Sequence, residues 1–371
     1  MRLWNLPSRS LVMGLAISGL SLSATAAPTL YGIVNKEIRS ISQDADANKV
    51  KKMNFTDVDG FETRLGAKGK HEGEGFSLDY NVELGLNTNR DARDSTTSNP
   101  ERMRVRHAFV RLHESWGSVT LGKTWNPNAL AMIKIDPFTG TGLQNFGLDF
   151  SAINTHTNDN NGSAKGIGYR TRFFQDQFTY VTPSYSGVRY HLTLDDGGFS
   201  ANNSSSNDDS TYTSHMISWD ADFGGIKNYL TITSSSQSFD KSTSTEEKFT
   251  QFGNKTTIGD HQISLAYGTS EDSNGENKRL FAAYAYMMGA HKLALSYGNL
   301  DQDNTSGTKL GSNNLVALGY WNQLTDMVTL RATAGQYSIK AETADTFNSG
   351  FAAAETENKA TIIALGAFVK F

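Results

Sequence analysis

Charged side chains recur at every second position in several segments of this 371-residue chain, and that spacing limits the chemistry they can do. In Phe76 to Leu86, Asp79 and Glu83 alternate with Phe76, Leu78, Tyr80, Val82, Leu84 and Leu86. Arg64, Lys68 and Lys70 alternate with Phe61, Leu65 and Ala67; Arg189 and His191 alternate with Val188, Tyr190, Leu192 and Leu194. Period two places each set on one face of a β-strand. A strand that is ionic on one face and apolar on the other separates water from a nonpolar medium, and its charges act by solvation and field rather than by bond making. The stretch Arg102 to His113 is ambiguous. One phase points Arg102, Arg104 and Arg106 to water together with Ala108, Val110 and Leu112, and the other points His107, Arg111 and His113 there.

Catalytic patterns are absent. There is no Gly-x-Ser-x-Gly elbow, His71-Glu72 continues as Gly-Glu-Gly rather than as a zinc-protease motif, no phosphate-binding loop occurs, and the eight His are scattered. No Asp-x-Asp-x-Asp-Gly loop with a distal Glu offers a calcium site, and with no Cys there is neither a disulfide framework nor a thiolate metal site. No cofactor is implied. The formal net charge of −4 gives nucleic acid nothing to bind.

The elements that carry these residues read as strands. Lys359 to Phe371 places Thr361, Ile363, Leu365, Ala367, Val369 and Phe371 on one face, and Gln262 to Gly268 and Lys292 to Gly298 alternate likewise. Mean hydropathy is −0.45 and no later segment is long and apolar enough for a spanning helix, but a barrel with a polar lumen has that average. At the N-terminus, Arg2 and Arg9, the apolar run Leu11 to Leu22 and Ala24-Thr25-Ala26 form an export signal over residues 1–26, with residues 27–371 as one mature β domain.

Connections alternate between short and long. His71 to Gly75, Ser115 to Gly117, Ser184 to Gly187, Phe223 to Gly225, Gly259-Asp260 and Gly289-Ala290 are tight turns. Asp44 to Gly60, Asn89 to Glu101, Trp125 to Gly166, Asp195 to Ser210, Ser238 to Glu246, Ser270 to Asn277, Asp301 to Ser312 and Ala341 to Asn358 are polar and long. The tally gives about 16 antiparallel strands with short turns at one end of a barrel and long loops at the other. A soluble sandwich or β-helix fits less well, because no fixed-period repeat is present.

Several segments resemble the Gram-negative trimeric porins: Thr29-Leu30-Tyr31-Gly32, Arg64-Leu65-Gly66-Ala67-Lys68-Gly69, Gly117-Ser118-Val119-Thr120-Leu121-Gly122-Lys123 and the terminal Phe371. The resemblance, carried by the order of turns over the mature chain, implies an all-β outer-membrane barrel with long extracellular loops and short periplasmic turns. It also implies a homotrimer surrounded by lipid and lipopolysaccharide, with Phe371 read by the barrel-assembly machinery. Such a barrel passes ions and small hydrophilic solutes by passive diffusion; a sugar-specific channel and an adhesin or receptor barrel are the alternatives.

By the same resemblance the third loop, residues 125–166, folds into the lumen. Its acids Asp136, Asp149 and Asp159 would face a basic wall of Arg64, Lys68, Arg104, Arg106, Arg170 and Arg189. Arg170 needs a one-residue bulge to face inward if Phe178 and Tyr180 face lipid. If the family phase holds for Arg106, then His107 and Arg111 lie outside and mark a subunit contact or a snorkelling position. Trp125, Phe138 and Phe146 are the one aromatic cluster that could begin a sugar track.

Overall fold

The structure, a computed structural model, describes residues 27–45, 48–58, 61, 63–86, 103–125, 127–144, 174–195, 210–239, 246–272, 275–341 and 357–371. The export signal expected over residues 1–26 lies outside the described residues.

Among the described residues, seventeen strand segments form one closed antiparallel sheet. They are β1 (Thr29–Ala45), β2 (Asn48–Asp57), β3 (Arg64–Glu72), β4 (Ser77–Leu86), β5 (Met103–Glu114), β6 (Gly117–Trp125), β7 (Phe174–Val181), β8 (Val188–Asp195) and β9 (Ser210–Asp222). The second half adds β10 (Ile226–Phe239), β11 (Glu247–Ile258), β12 (His261–Asp272), β13 (Gly275–Met288), β14 (His291–Asn304), β15 (Lys309–Gln323), β16 (Val328–Ala341) and β17 (Glu357–Lys370). One helix among the described residues, α1 (Pro127–Ile135), follows β6.

Seventeen segments make 16 staves, because β2 and β3 are two halves of one. Both pair with β1: β2 from Lys36↔Asp57 to Ala45↔Asn48, and β3 from Thr29↔Lys68 to Ile33↔Arg64. Between the halves the chain leaves the ladder, and Val58 and Phe61 bury their side chains inside the barrel. Closure runs through β1 and β17, paired from Ile33↔Lys370 to Asp44↔Lys359.

The period-two pattern becomes two surfaces. Outward positions such as Val82, Leu121, Ile217, Ile263, Leu295, Leu318, Ile363 and Leu365 are exposed and apolar, while their neighbours Glu83, Thr120, Ser218, Ser264, Ser296, Ala317, Ile362 and Ala364 are buried inside. That apolar belt is the lipid face of a transmembrane barrel. No helix among the described residues is long and apolar enough to cross a membrane; the crossing is made by strands.

Three connections expected to be long are mostly strand. β1 and β2 run to Ala45 and from Asn48, inside the expected loop Asp44 to Gly60; β12 and β13 leave only residues 273–274 between them, and β14 and β15 turn within residues 305–308. The polar Ser, Asn and Asp there pair as strand extensions, since backbone ladder bonds do not need apolar side chains once the strands emerge into water.

The ambiguous phase of β5 is resolved by a bulge. Glu83 of β4 faces His107 and Leu84 faces Val105, leaving Arg106 as the extra residue. Val105 and Val110 are both exposed on the outer face, while Arg106 and His107 are successive residues and both buried inside. His107 and Arg111 are therefore inward, and the expected outer-surface contact at those residues is corrected.

Candidate pore constriction

The chain between β6 and β7 enters the lumen and is fixed to the inner wall by both polar and apolar contacts. Pro127 begins α1, where a missing backbone N–H costs nothing and φ is already helical. At its end the Asp136 amide bonds to the Met132 carbonyl at 2.8 Å, and the Asp136 carboxylate accepts the Phe138 amide at 2.8 Å, turning the chain. The Ile135 carbonyl accepts from Ser264 Oγ at 2.7 Å and Gln262 Nε2 at 3.3 Å, and the Pro137 carbonyl accepts from Lys292 Nζ at 2.8 Å. Further on, Asn35 Nδ2 donates to the Gly140 carbonyl at 3.1 Å and the Gly142 amide donates to Glu37 Oε1 at 3.3 Å.

Apolar packing completes the seat. Met132 and Ile135 join Tyr229, Ala266, Phe281 and Ala283. Phe138 and Leu143 join Ala317, Trp321 and Ile362, with the Phe138 and Trp321 rings 5.3 Å apart and edge-on. Small wall residues make room: a Cβ on Gly253 would collide with Ile135, and one on Gly335 with Leu143. The inward fold expected of this loop is thus present over residues 127–144.

The polar side of the lumen carries a pattern of shared carboxylates. Glu83 lies between Arg106, 2.6 Å away, and Arg64, 3.2 Å away, and also accepts a bond from Tyr31 Oη at 2.9 Å. Glu37 repeats the arrangement between Arg39 at 2.8 Å and Arg331 at 2.9 Å, and Arg331 also donates to Asn35 Oδ1 at 2.6 Å. Trp125 packs with Phe61, ring centroids 5.7 Å apart, and Arg106 stacks on the Trp125 ring at 5.6 Å. Lower on β5, Arg111 Nε donates to Thr120 Oγ1 at 2.7 Å, and His113 meets Asp79 at 2.8 Å.

Arg64 and Arg106 meet at Glu83, as the preceding distances show, and Lys68 lies nearby with its ammonium 5.3 Å from the Tyr31 ring. Arg189 is inward on a different arc of wall, 3.3 Å from Asp220. Arg104 is in β5 opposite Gly85, its side chain outside the described residues. Asp149, Asp159 and Arg170 lie outside the described residues altogether. Asp136 departs from expectation: its carboxylate is buried and shapes the helix exit, instead of standing exposed across from the arginines. Among the described residues, the carboxylates that meet arginines are Glu37, Glu83 and Asp220, all on the wall itself. Glu37 and Arg39 alternate with Val34 and Ile38, a signal of the kind that marked Arg64; nothing in Thr329 to Gly335 announced Arg331.

A closed barrel with an apolar outer belt, an ionic inner wall and a segment folded across its bore is a membrane channel. The chain belongs to the Gram-negative porin family, whose model matches residues 11–367, and it forms a diffusion channel in the outer membrane. Among solved structures it is similar to the anion-selective porin from Comamonas acidovorans, with 16% identity, a TM-score of 0.69, and 93% of this chain and 99% of that chain covered. It is similar also to the outer membrane channel DcaP of Acinetobacter baumannii, at 11% identity and TM-score 0.63, covering 93% and 97% of the two chains. OmpF of Salmonella typhi aligns over the same shares at 13% identity and TM-score 0.61. No curated protein sequence matches the chain.

Proposed function

We propose that this porin is a general-diffusion channel without enzymatic activity, that it favours small anions, and that it works as a homotrimer. The observation that carries the anion preference is the sharing of carboxylates: Glu37 serves Arg39 and Arg331, and Glu83 serves Arg64 and Arg106. Among the described residues each cluster sets two arginines against one glutamate. Lys68, Arg111, Lys134 and Arg189 add to the same sign, against Asp79 and Asp220. In a narrow bore with low-dielectric walls such an imbalance attracts anions and repels cations. Arg104, and Arg170 if a bulge turns it inward, would strengthen the same field; Asp149 and Asp159 would oppose it.

A sugar-specific track is less well supported, because Phe138 is fully buried against Trp321 and Trp125 is covered by Arg106 and Phe61. The trimer is supported by a fold shared with OmpT of Vibrio cholerae in its trimer form, at TM-score 0.59 and 15% identity. Phe371, whose backbone bonds Gly32 in both directions, is proposed as the residue read by the assembly machinery, and lipid and lipopolysaccharide as what meets the outer belt.

The test is the reversal potential of purified trimers in a planar bilayer under a potassium chloride gradient. A sign reporting chloride as the more permeant ion, with conductance rising in proportion to salt, is expected. A cation-selective sign refutes the anion preference, and block by a neutral sugar refutes general diffusion.

A further inference from the structure

On a different arc of wall from Arg64 and Arg106, the last turn of α1 faces a group of charges that the diffusion reading leaves unused. The Lys134 ammonium sits 4.6 Å from the centroid of the Tyr229 ring. Tyr229 of β10 is in register with Lys255 of β11 on one side and with Asp220 of β9 on the other. Asp220 in turn meets Arg189 of β8 at 3.3 Å. His191, the next inward residue of β8, is fixed by a 2.9 Å bond to Ser218. The phase of every strand here is set by its outward apolar residues, Val188, Ile217, Ile232 and Ile258. Lys134 is within electrostatic reach of both Lys255 and His191. The Arg189 and Asp220 side chains remain 40% and 50% exposed, so the ledge is open to water.

The geometry points to an anion-binding subsite: Lys134 from the inward loop, with Lys255 and Arg189 from the wall around the face of Tyr229, takes a small doubly charged oxyanion in transit. This rests on the reading of the chain as a diffusion channel that admits anions. Three cations from three separate elements stand about Tyr229 with Asp220 as the carboxylate beside it, two positive charges in excess, which a phosphate-like or dicarboxylate dianion neutralises and chloride does not. Asp220 orients the Arg189 guanidinium and leaves its remaining N–H donors for the solute. Tyr229 is almost fully buried and provides a rigid floor, while Lys134 reaches over it from the helix. The ledge lies close to the short turns that begin β8 and β10 and end β9 and β11, so a solute that has passed the arginines meets it next on its way to that end. A weak site at that place raises the local concentration of dianions without closing the bore, since binding must stay loose enough to release.

The experiment measures inorganic phosphate binding to the detergent-solubilised protein by titration calorimetry at pH 8, together with chloride current through single channels as phosphate is added at constant ionic strength. Saturable binding and saturable partial block are expected, with succinate competing if the site accepts carboxylate dianions as well. Lys134→Gln and Lys255→Gln should each weaken phosphate binding roughly tenfold, and Asp220→Asn should tighten it, as expected for one unit charge acting on a dianion at about 5 Å in a watery site. Lys134 is exposed, so its replacement tests the site with little risk to folding. Phosphate binding that is absent, or unchanged in both lysine variants, overturns the subsite. If chloride selectivity is intact in that case, the diffusion reading stands and only the subsite falls; a cation-selective wild type would instead remove the reading beneath it.

Discussion

Glu83 sets the charge balance of the pore at the residue scale. Its carboxylate separates the Arg64 and Arg106 guanidiniums, both inside 3.5 Å-scale contact, and Arg106 is fully buried. Glu83→Gln keeps the shape and removes the charge that buried Arg106 and nearly buried Arg64 share. Breaking a buried ion pair in this way costs about 3 to 5 kcal/mol, so the barrel should unfold at lower temperature by circular dichroism. The reversal potential should move further toward chloride. An unchanged reversal potential would mean that permeating ions do not feel this cluster. The inward direction of Arg64, Lys68 and Arg189 was legible because their outward neighbours are plainly apolar. Arg106 and His107 were not legible as a pair, since a bulge breaks the period on which alternation depends, and the residue that creates it looks like any other arginine. Asp136 was misread for a different reason: an acid in a loop shows nothing in sequence of whether its oxygens meet solute or a backbone amide two residues on.

At the scale of elements, the inward loop depends on its apolar anchors more than on its hydrogen bonds. Phe138 is fully buried against Trp321, and its removal would open a void between loop and wall. Truncating such a side chain costs about 3 to 5 kcal/mol where the site cannot collapse. In Phe138→Ala the ladder of the barrel should stay intact while the loop loosens. Single-channel records should then show larger and noisier steps than the native protein, with the barrel's strand signal in circular dichroism unchanged. Quiet steps of native size would show that the polar contacts of Ile135, Pro137 and Gly140 suffice to hold the loop. The presence of a long third loop was legible from its length alone, and its inward course followed from family resemblance. Its partners were not, because Ala266, Ala283 and Ala317 on the inner wall read in sequence as neutral positions rather than as a seat. The reverse error occurred at the ends of the staves, where polar composition suggested loops and the backbone continued as strand between Asp44 and Gly60.

For the whole molecule, the number of staves was legible because short turns alternate with long polar connections along the chain, and a tally of connections is insensitive to where each strand begins or ends. The surface that would meet another copy in the proposed trimer was not, since both lipid and a subunit core accept apolar side chains. One outward position stands apart. Lys36 lies on β1 between exposed Val34 and Ile38, and pairs with Asp57 at 2.8 Å beside the break in the second stave. Met53 and Phe55, on the same outward phase of β2, are 70% and 76% exposed, well above the other apolar belt residues of β4 and β17 such as Val82 at 50% and Leu365 at 59%. A lysine facing hydrocarbon near the midplane costs about 2 to 4 kcal/mol, and a protein neighbour covering both the pair and the protruding side chains would relieve it. If the trimer contact covers this patch, Asp57→Ala removes the carboxylate that Lys36 meets there. The trimer band on unheated gels should then convert to monomer at a lower temperature, while the monomer keeps the heat-modifiable migration of a folded barrel. In Lys36→Leu with Asp57→Asn, the pair is replaced without a residual charge, and most of the trimer's heat resistance should return. Trimers of native heat resistance in Asp57→Ala would place the subunit contact elsewhere on the belt, and the pair would then have only lipid as its surroundings.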